Sequence, residues 1–293
     1  MLRYLVSGGN KGIGRALCER LLSNDPRAFV YLGSRDEARG GEAVAALTAV
    51  DASWGARLRV VTLDVCSAES VARAVRELGD EPLAGLVNNA GVWVREDSAL
   101  TFEVNVFGAA RLTAACRHLL PTGSRVVMIS SGAAPMFVAK CTPARQAALC
   151  EVLSVAAVEA SAREFLAALA ADTADGGGRL TAMGYPQPDP QQGAYGASKA
   201  FMSQLTLAVA SEMAGVLVNA CSPGMIDTDM VRPLFAASGK TPAESGALTP
   251  AQGTRAPMHL LFGEVGSGLY FGSDALRSPL DRYRAPGTPA YEG

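Results

Sequence analysis

The stretch Leu2-Arg-Tyr-Leu-Val-Ser-Gly-Gly-Asn-Lys-Gly-Ile-Gly14 decides the fold of this chain. It opens with the hydrophobic run of a short buried strand, and a helical pattern follows its last glycine through Leu22. Between them lies a turn spaced Gly8-x3-Gly12-x-Gly14. Glycines let a backbone approach a pyrophosphate closely, and a helix N-terminus offers unpaired N–H groups. The stretch therefore predicts a strand, a phosphate-binding turn and a helix.

Strand-like and helix-like segments alternate along the rest of the chain. Strands separated by helix-length segments pair in parallel through right-handed crossovers. We therefore predict an α/β fold, a doubly wound parallel sheet that forms a single domain over residues 1–293. The further strands are predicted at residues 29–33, 57–63, 83–88, 124–129, 216–221 and 268–272.

Polar motifs follow three of these predicted strands. Asp64-Val65 comes after the third strand, Asn88-Asn-Ala-Gly91 after the fourth and Ser130-Ser131 after the fifth. Ligands of a doubly wound sheet bind at the carboxyl ends of its strands. We expect all three motifs to face one crevice.

The stretch Gly193-Ala-Tyr-Gly-Ala-Ser-Lys199 opens a predicted helix. Because Tyr195 and Lys199 are four residues apart, they would lie on the same helix face. A phenol has a pKa of about 10, and a nearby ammonium would lower it, which makes such a pair a plausible general acid–base. The same spacing also arises by chance in ordinary helices, so the pair alone leaves a structural interpretation open.

Composition argues against several other classes of protein. The chain has 28 acidic and 26 basic residues, and no basic block suggests a nucleic-acid partner. Charged or polar residues interrupt every apolar run, so no membrane span is predicted, and no signal peptide is apparent. The six cysteines lack a Cys-x-x-Cys pair and the two histidines are far apart, so no metal site is expected. We expect a cytoplasmic protein.

Taken together, these motifs resemble the short-chain dehydrogenase/reductase family, in order and over nearly the whole chain. The matching residues include the Ser7–Gly14 turn, where the family usually has Thr in place of Ser7, and Pro223-Gly224 near the end of the pattern. Two local stretches, Gly-Gly-Asn-Lys-Gly-Ile-Gly and Ser34-Arg-Asp-x3-Gly40, resemble the carbonyl reductase branch.

The resemblance implies a nicotinamide cofactor, and charge favours NADPH. Arg35 follows the second strand and Lys11 lies in the glycine turn, so two cations would flank a 2′-phosphate. Asp36 comes next, where a carboxylate could instead select NAD, but its side chain can point away. The full set of cofactor contacts implied is Gly8, Asn10, Lys11, Gly12, Ile13, Gly14, Arg35, Asp64, Val65, Asn89, Ala90, Gly91, Tyr195, Lys199, Pro223, Gly224, Ile226 and Thr228.

The resemblance also implies four catalytic residues for reduction of a small-molecule ketone, aldehyde or quinone. Tyr195 would donate a proton to the carbonyl oxygen, Lys199 would lower the Tyr195 pKa and hold the nicotinamide ribose, and Ser131 would hydrogen-bond the oxygen. Asn105 would hold a proton-relay water, and Ser130 is the alternative serine. Two other functions stay open: alcohol oxidation with NADP, and a non-catalytic NADPH-binding regulatory protein.

Three segments lie outside the basic pattern. Residues 133–193 predict a helical insertion, which in monomeric carbonyl reductases covers the face that other family members use to associate; the alternative is a decorative surface helix. Residues 229–268 predict a substrate lid, and residues 278–293 an extended or frayed tail. We expect a monomer. Several residues flanking the motifs would line an apolar pocket or belong to the core: Trp93, Met136, Phe137, Met183, Tyr185, Met225 and Met230.

Overall fold

The computed structural model describes residues 1–187 and 193–293. Within this part of the chain, seven strands form one sheet in the order β3-β2-β1-β4-β5-β6-β7, and all strand pairs are parallel. The order reverses between β1 and β4, so the predicted doubly wound sheet is confirmed. The strands are β1 (Leu2–Val6), β2 (Ala28–Ser34), β3 (Leu58–Thr62), β4 (Leu83–Asn88), β5 (Arg125–Ile129), β6 (Leu217–Cys221) and β7 (Leu269–Phe271).

Helices cover both faces of the sheet because neighbouring strand residues point to opposite sides. In β4, Leu86 and Val87 are both fully buried but belong to two separate hydrophobic clusters. The helices are α1 (Gly12–Asn24), α2 (Glu37–Val50), α3 (Ala68–Leu78), α4 (Ser98–Phe102), α5 (Ala109–Cys116), α6 (Ala133–Val138), α7 (Pro143–Cys150), α8 (Val155–Asp175), α9 (Arg179–Ala182), α10 (Tyr195–Glu212), α11 (Arg232–Ser238) and α12 (Arg255–Phe262).

The long helix predicted over residues 98–119 is interrupted. A π-helical segment, Glu103–Gly108, separates α4 from α5. At Gly108 the helix passes so close to the segment after β3 that an added Cβ atom would lie 2.8 Å from a Val65 methyl group. The wider π turn also buries Asn105 completely within the protein. Such local widening is common at functional sites.

The insertion packs against α10 of the same chain. Phe165 of α8 stacks on Phe102 at 5.5 Å and packs on Phe201 of α10 at 5.9 Å between ring centroids. The Gln204 side chain on α10 donates a 2.7 Å hydrogen bond to the Ala148 carbonyl of α7. Residues 188–192 of the predicted insertion lie outside the described residues.

The predicted lid divides into two parts. Residues 255–262 form α12, whose Leu260 and Leu261 are buried against the sheet, and the Arg125 side chain donates to the Leu260 carbonyl at 3.1 Å. The exposed part precedes it and contains α11, a helix that the sequence analysis missed. A parallel bridge between Ile226 and Leu248 closes this exposed loop at its base.

The tail wraps over the domain. Its Arg284 forms a buried ion pair with Asp274, and the Gly287 N–H donates to the same carboxylate at 2.9 Å. Of the two forms predicted, the structure has the extended wrap. Among the described residues, no helix is long and apolar enough to cross a membrane, and no group of acidic, histidine and cysteine side chains could hold a metal ion.

Candidate active site

The glycine turn is built for close backbone packing. Gly8 and Gly12 have φ of 64° and 54°, which other residues adopt at a cost. A Cβ atom on Gly14 would lie 2.2 Å from the Gly8 carbonyl oxygen, so only hydrogen fits there. The Ser7 hydroxyl accepts from the N–H groups of Asn89 and Ala90, both at 3.0 Å. Ser7 thus ties the turn to the end of β4 through its hydroxyl, a group that threonine also carries.

The N-terminus of α1 fits an anionic cofactor group. The preceding Lys11 makes no side-chain cap, and the first turn has no acidic residue. By contrast, α2 and α3 are capped by the side chains of Asp36 and Ser67. The first N–H groups of α1 are therefore available to a pyrophosphate.

Arg35, which follows β2, is a cation of the kind expected at a 2′-phosphate site. The Asp36 carboxylate accepts the Arg39 N–H at 3.0 Å as the cap of α2, so it is directed at that helix. Arg35 is exposed, and no described acidic residue forms an ion pair with it. Lys11, the second predicted cation, instead forms a 2.9 Å ion pair with Asp229. A phosphate contact by Lys11 would therefore compete with Asp229.

The Tyr195–Lys199 pair lies in the first turns of α10, below the carboxyl end of β5. The Lys199 Nζ atom is 5.9 Å from the centre of the Tyr195 ring and donates a 2.8 Å hydrogen bond to the Ile129 carbonyl. Burial lowers the pKa of Lys199 to about 7. Burial also raises the pKa of Tyr195, and a hydrogen bond with Ser131 opposes that rise.

The lowered Tyr195 pKa expected from the sequence is not found in the structure. Lys199 can stabilise a Tyr195 phenolate only while its amine is protonated. Desolvation disfavours the charged form of both side chains. Lys199 is 3% exposed, so this cost dominates its titration. The pair is brought together as predicted, but with a protonated phenol favoured.

The two serines after β5 have different surroundings. The Ser130 hydroxyl is buried, 2.8 Å from the Ser203 hydroxyl, and donates to the Lys199 carbonyl at 3.1 Å. Ser131 is partly exposed, and its side chain hydrogen-bonds Tyr195. The geometry therefore favours Ser131 over Ser130 for contact with a substrate oxygen.

Asn105 joins the loop after β4 to α10. Its amide donates to the Val92 carbonyl at 2.9 Å and to the Ser198 hydroxyl at 3.0 Å, and its oxygen accepts the Val92 N–H at 2.9 Å. A Cβ atom placed on Gly91 would be 3.3 Å from the Asn105 oxygen and 3.4 Å from Lys199 Nζ. Asn105 therefore lies at the site, where it positions this loop. The water relay stays a prediction.

The remaining predicted cofactor residues lie at the same edge of the sheet. Asp64 accepts the Cys66 N–H at 3.0 Å, and Val65 is buried against α5. A Cβ atom on Gly12 would be 3.1 Å from the Thr228 methyl group, so the glycine turn faces the segment after β6. In that segment Gly224 has φ of 96°. The structure thus groups the sequence-predicted motifs around one crevice.

Three aromatic residues at the site were not assigned to it from the sequence. The Trp93 ring stacks on the Tyr195 ring, and the Tyr270 hydroxyl donates to the Ser131 carbonyl at 2.9 Å. Tyr283 of the tail lies against Gly132, where an added Cβ atom would be 2.9 Å from its ring. Tyr270 and Tyr283 follow the Tyr–Lys motif by more than seventy residues, and no spacing rule signals their return to it. For Trp93 the sequence leaves two possibilities open, the lining of an apolar pocket and the core.

The described architecture is that of a known family. A sequence profile described as short chain dehydrogenase matches residues 3–169 and 180–239. The chain belongs to the short-chain dehydrogenase family.

Comparison with known proteins indicates the branch of this family to which the chain is similar. Carbonyl reductase (NADPH) 3 from Rattus norvegicus is 33% identical over 270 residues, which cover 84% of this chain and 88% of the relative. Carbonyl reductase (NADPH) 1 from Homo sapiens is 32% identical over 267 residues with the same coverage. Menthone neomenthol reductase from Mentha piperita is similar in structure, with a TM-score of 0.73 at 25% identity over 93% of this chain and 98% of that one. The resemblance to the carbonyl reductase branch is confirmed.

Proposed function

We propose that this chain is an NADPH-dependent carbonyl reductase, which converts ketones, aldehydes or quinones to alcohols. The observation that carries the proposal is the grouping of Tyr195, Lys199 and Ser131 at the carboxyl edge of the sheet, beside the open N-terminus of α1. The carbonyl reductases among its relatives, whose names include NADPH, support the same cofactor and reaction.

The cofactor would be held by residues that follow five of the strands, β1, β2, β3, β4 and β6. The glycine turn and the first N–H groups of α1 would bind its pyrophosphate, and Arg35 its 2′-phosphate. Residues of the motifs after β3, β4 and β6 would contact the rest. When bound, NADPH supplies the hydride that reduces the carbonyl carbon.

Side chains of the protein would supply the proton for this reduction. Tyr195 donates its hydroxyl proton to the carbonyl oxygen, and Ser131 hydrogen-bonds that oxygen as negative charge develops on it. Lys199, fixed by the Ile129 carbonyl, orients the cofactor and stabilises the Tyr195 oxygen once its proton has left. Asn105 holds the loop after β4 in place and holds a water that relays protons to Lys199.

The proposed reduction uses Tyr195 in its protonated form. A phenol has a pKa of about 10 in water and burial raises the Tyr195 pKa further, so the hydroxyl carries its proton at neutral pH, as a proton donor must. Alcohol oxidation would use the same groups in reverse, and the ratio of NADPH to NADP⁺ would set which direction runs.

The surroundings of the site favour an apolar substrate. Met136 and Met225 are 45% and 49% exposed beside the serine and Pro223-Gly224 motifs, and Tyr283 is 45% exposed beside Gly132. Methionine side chains adapt to ligands of different shape. Tyr185 is 3% exposed and belongs to the core instead.

The proposal includes a monomer in the cytoplasm. The contacts of α7 and α8 with α10 within one chain support the monomer, because they occupy the helix face that a second subunit would need. The unpaired cysteine thiols are compatible with a reducing compartment.

The test is a direct assay of the purified chain with NADPH and a panel of quinones, ketosteroids, isatins and aldehydes, followed by loss of NADPH absorbance. We expect turnover of several carbonyls with NADPH and much slower turnover with NADH. Binding of NADPH without turnover of any carbonyl would contradict the enzyme and favour the regulatory alternative.

A further inference from the structure

The proton donor of the proposed reaction is covered by a tryptophan. The indole ring of Trp93 stacks on the Tyr195 phenol with 4.9 Å between ring centroids and 21° between ring planes. Offset stacking at this separation is favourable for aromatic pairs. Trp93 is only partly buried.

The loop that carries Trp93 is fixed on both sides of the indole. The Asn105 amide holds both backbone groups of Val92. The Thr101 hydroxyl accepts the Val94 N–H at 3.2 Å and donates to the Val94 carbonyl at 3.1 Å. With both neighbours of Trp93 held, the backbone from which the indole projects is fixed beside the site.

The same loop touches the start of α10. Gly193 has φ of 54°, and a Cβ atom there would lie 3.1 Å from the Arg95 carbonyl oxygen. The Trp93 loop therefore packs on the backbone that delivers Tyr195. Neither the proposed proton transfer nor the proposed cofactor contacts give this arrangement a role.

We propose that Trp93 is the specificity-determining residue of the carbonyl site, and that its indole selects ketones and aldehydes whose carbonyl is attached to an aromatic ring. This inference rests on the proposed function. A carbonyl bound at the Tyr195 hydroxyl has its substituents next to that phenol, within reach of the ring that covers it. A flat aromatic substituent gains a stacking contact with the indole that a flexible alkyl chain of equal size does not.

The kinetic test compares 4-nitrobenzaldehyde with hexanal. In Trp93→Ala we expect the KM for 4-nitrobenzaldehyde to rise about tenfold, because the aldehyde loses one stacking contact and the apolar area buried by it. The KM for hexanal should change much less. Trp93→Phe should restore most of the preference because it keeps a ring. Trp54→Phe is the matched control, since Trp54 is buried in the cluster on the other face of the sheet.

A binding test does not depend on turnover. The chain has two tryptophans, so Trp54→Phe leaves Trp93 as the only indole and Trp93→Phe leaves Trp54. With NADP⁺ bound, 4-nitrobenzaldehyde cannot be reduced, and its nitroaromatic ring quenches an indole on contact. We expect most of the emission of Trp54→Phe to be lost, after correction for absorbance, and that of Trp93→Phe to persist.

The outcomes separate the two proposals. Equal loss of activity toward both aldehydes in Trp93→Ala, or equal quenching of both single-tryptophan proteins, would overturn the role of Trp93 and leave the reductase standing. Quenching confined to Trp93 supports that role even if Trp93→Ala fails to fold. Absence of turnover by the unmodified chain with any carbonyl overturns the reductase itself.

Discussion

Lys199 and Tyr195 lie on one face of α10, with the lysine Nζ atom 5.9 Å from the centre of the phenol ring. The lysine is held by the Ile129 carbonyl of β5, so its position does not depend on the tyrosine. Burial lowers the pKa of Lys199 to about 7 and raises that of Tyr195. The phenol, whose pKa in water is already about 10, therefore carries its proton at neutral pH, as a proton donor must.

Replacing Lys199 should have opposite effects on activity and stability. Lys199→Met should lower both turnover and NADPH affinity, because Lys199 is proposed to act on Tyr195 and on the cofactor ribose. The same change should stabilise the cofactor-free chain at neutral pH, because it removes a buried amine whose charged form is disfavoured. Thermal unfolding with and without NADPH would measure both effects.

The buried Lys199 should also make the free energy of unfolding increase with pH. The folded pKa of Lys199 is about 7, and that of an unfolded lysine is about 10.4, so the unfolded chain binds more protons between these values. Stability should therefore rise with pH across this window, by up to about 1.4 kcal/mol per pH unit relative to Lys199→Met. The exposed Lys240→Met is the control, and a wild-type slope equal to that of Lys199→Met would contradict the buried charge.

Cofactor choice should depend on Arg35. Arg35→Asp should shift the preference toward NADH by at least about tenfold, because a charge-assisted contact with the 2′-phosphate is worth roughly 1.5–3 kcal/mol. The ratio of kcat/KM for the two cofactors measures this shift. Arg73→Asp, an exposed change on α3, should leave the ratio unaltered; equal use of both cofactors by the unmodified chain would count against the assignment.

Much of this arrangement could be predicted because it depends on local sequence. The glycine turn, the strand–helix alternation and the motifs after strands each need only a few neighbouring residues. Parallel pairing then brings the strand ends together, so the crevice around Asn89, Ser131 and Tyr195 followed from topology alone.

Other features could not be predicted because they arise between distant segments. The Lys11–Asp229 ion pair joins residues 218 positions apart, and the tail returns Tyr283 to Gly132. The π segment contains Asn105, whose side chain contacts Val92 and Ser198. The spacing of apolar residues along the helix does not reveal these contacts. The raised Tyr195 pKa likewise depends on burial, which the four-residue spacing does not reveal.

The tail should contribute to stability through its buried ion pair. Arg284→Met should destabilise the chain by about 3 kcal/mol, because it leaves the Asp274 carboxylate buried without its cation. Denaturant unfolding would measure the change. Arg282→Met is the matched control, since its pair with Asp281 is exposed and should contribute little. Equal effects of both substitutions would mean that the tail does not hold the domain.

The docked insertion predicts a monomer. Light scattering at micromolar concentration should give the mass of one chain, 30.3 kDa. Deleting residues 144–177 would remove α7 and α8 and uncover the apolar face of α10 around Phe201, so dimers or aggregates should form. A stable dimer or tetramer of the intact chain would show that α7 and α8 do not block association.

The most direct test of the central claim is Tyr195→Phe, which removes the phenolic hydroxyl and leaves the ring that stacks on Trp93. Turnover of a carbonyl that the unmodified chain reduces should fall to a few per cent or less, because the proton donor is lost. NADPH affinity, measured by fluorescence titration, should stay close to that of the unmodified chain. Retention of more than a few per cent of turnover, with cofactor binding intact, would contradict Tyr195 as the proton donor.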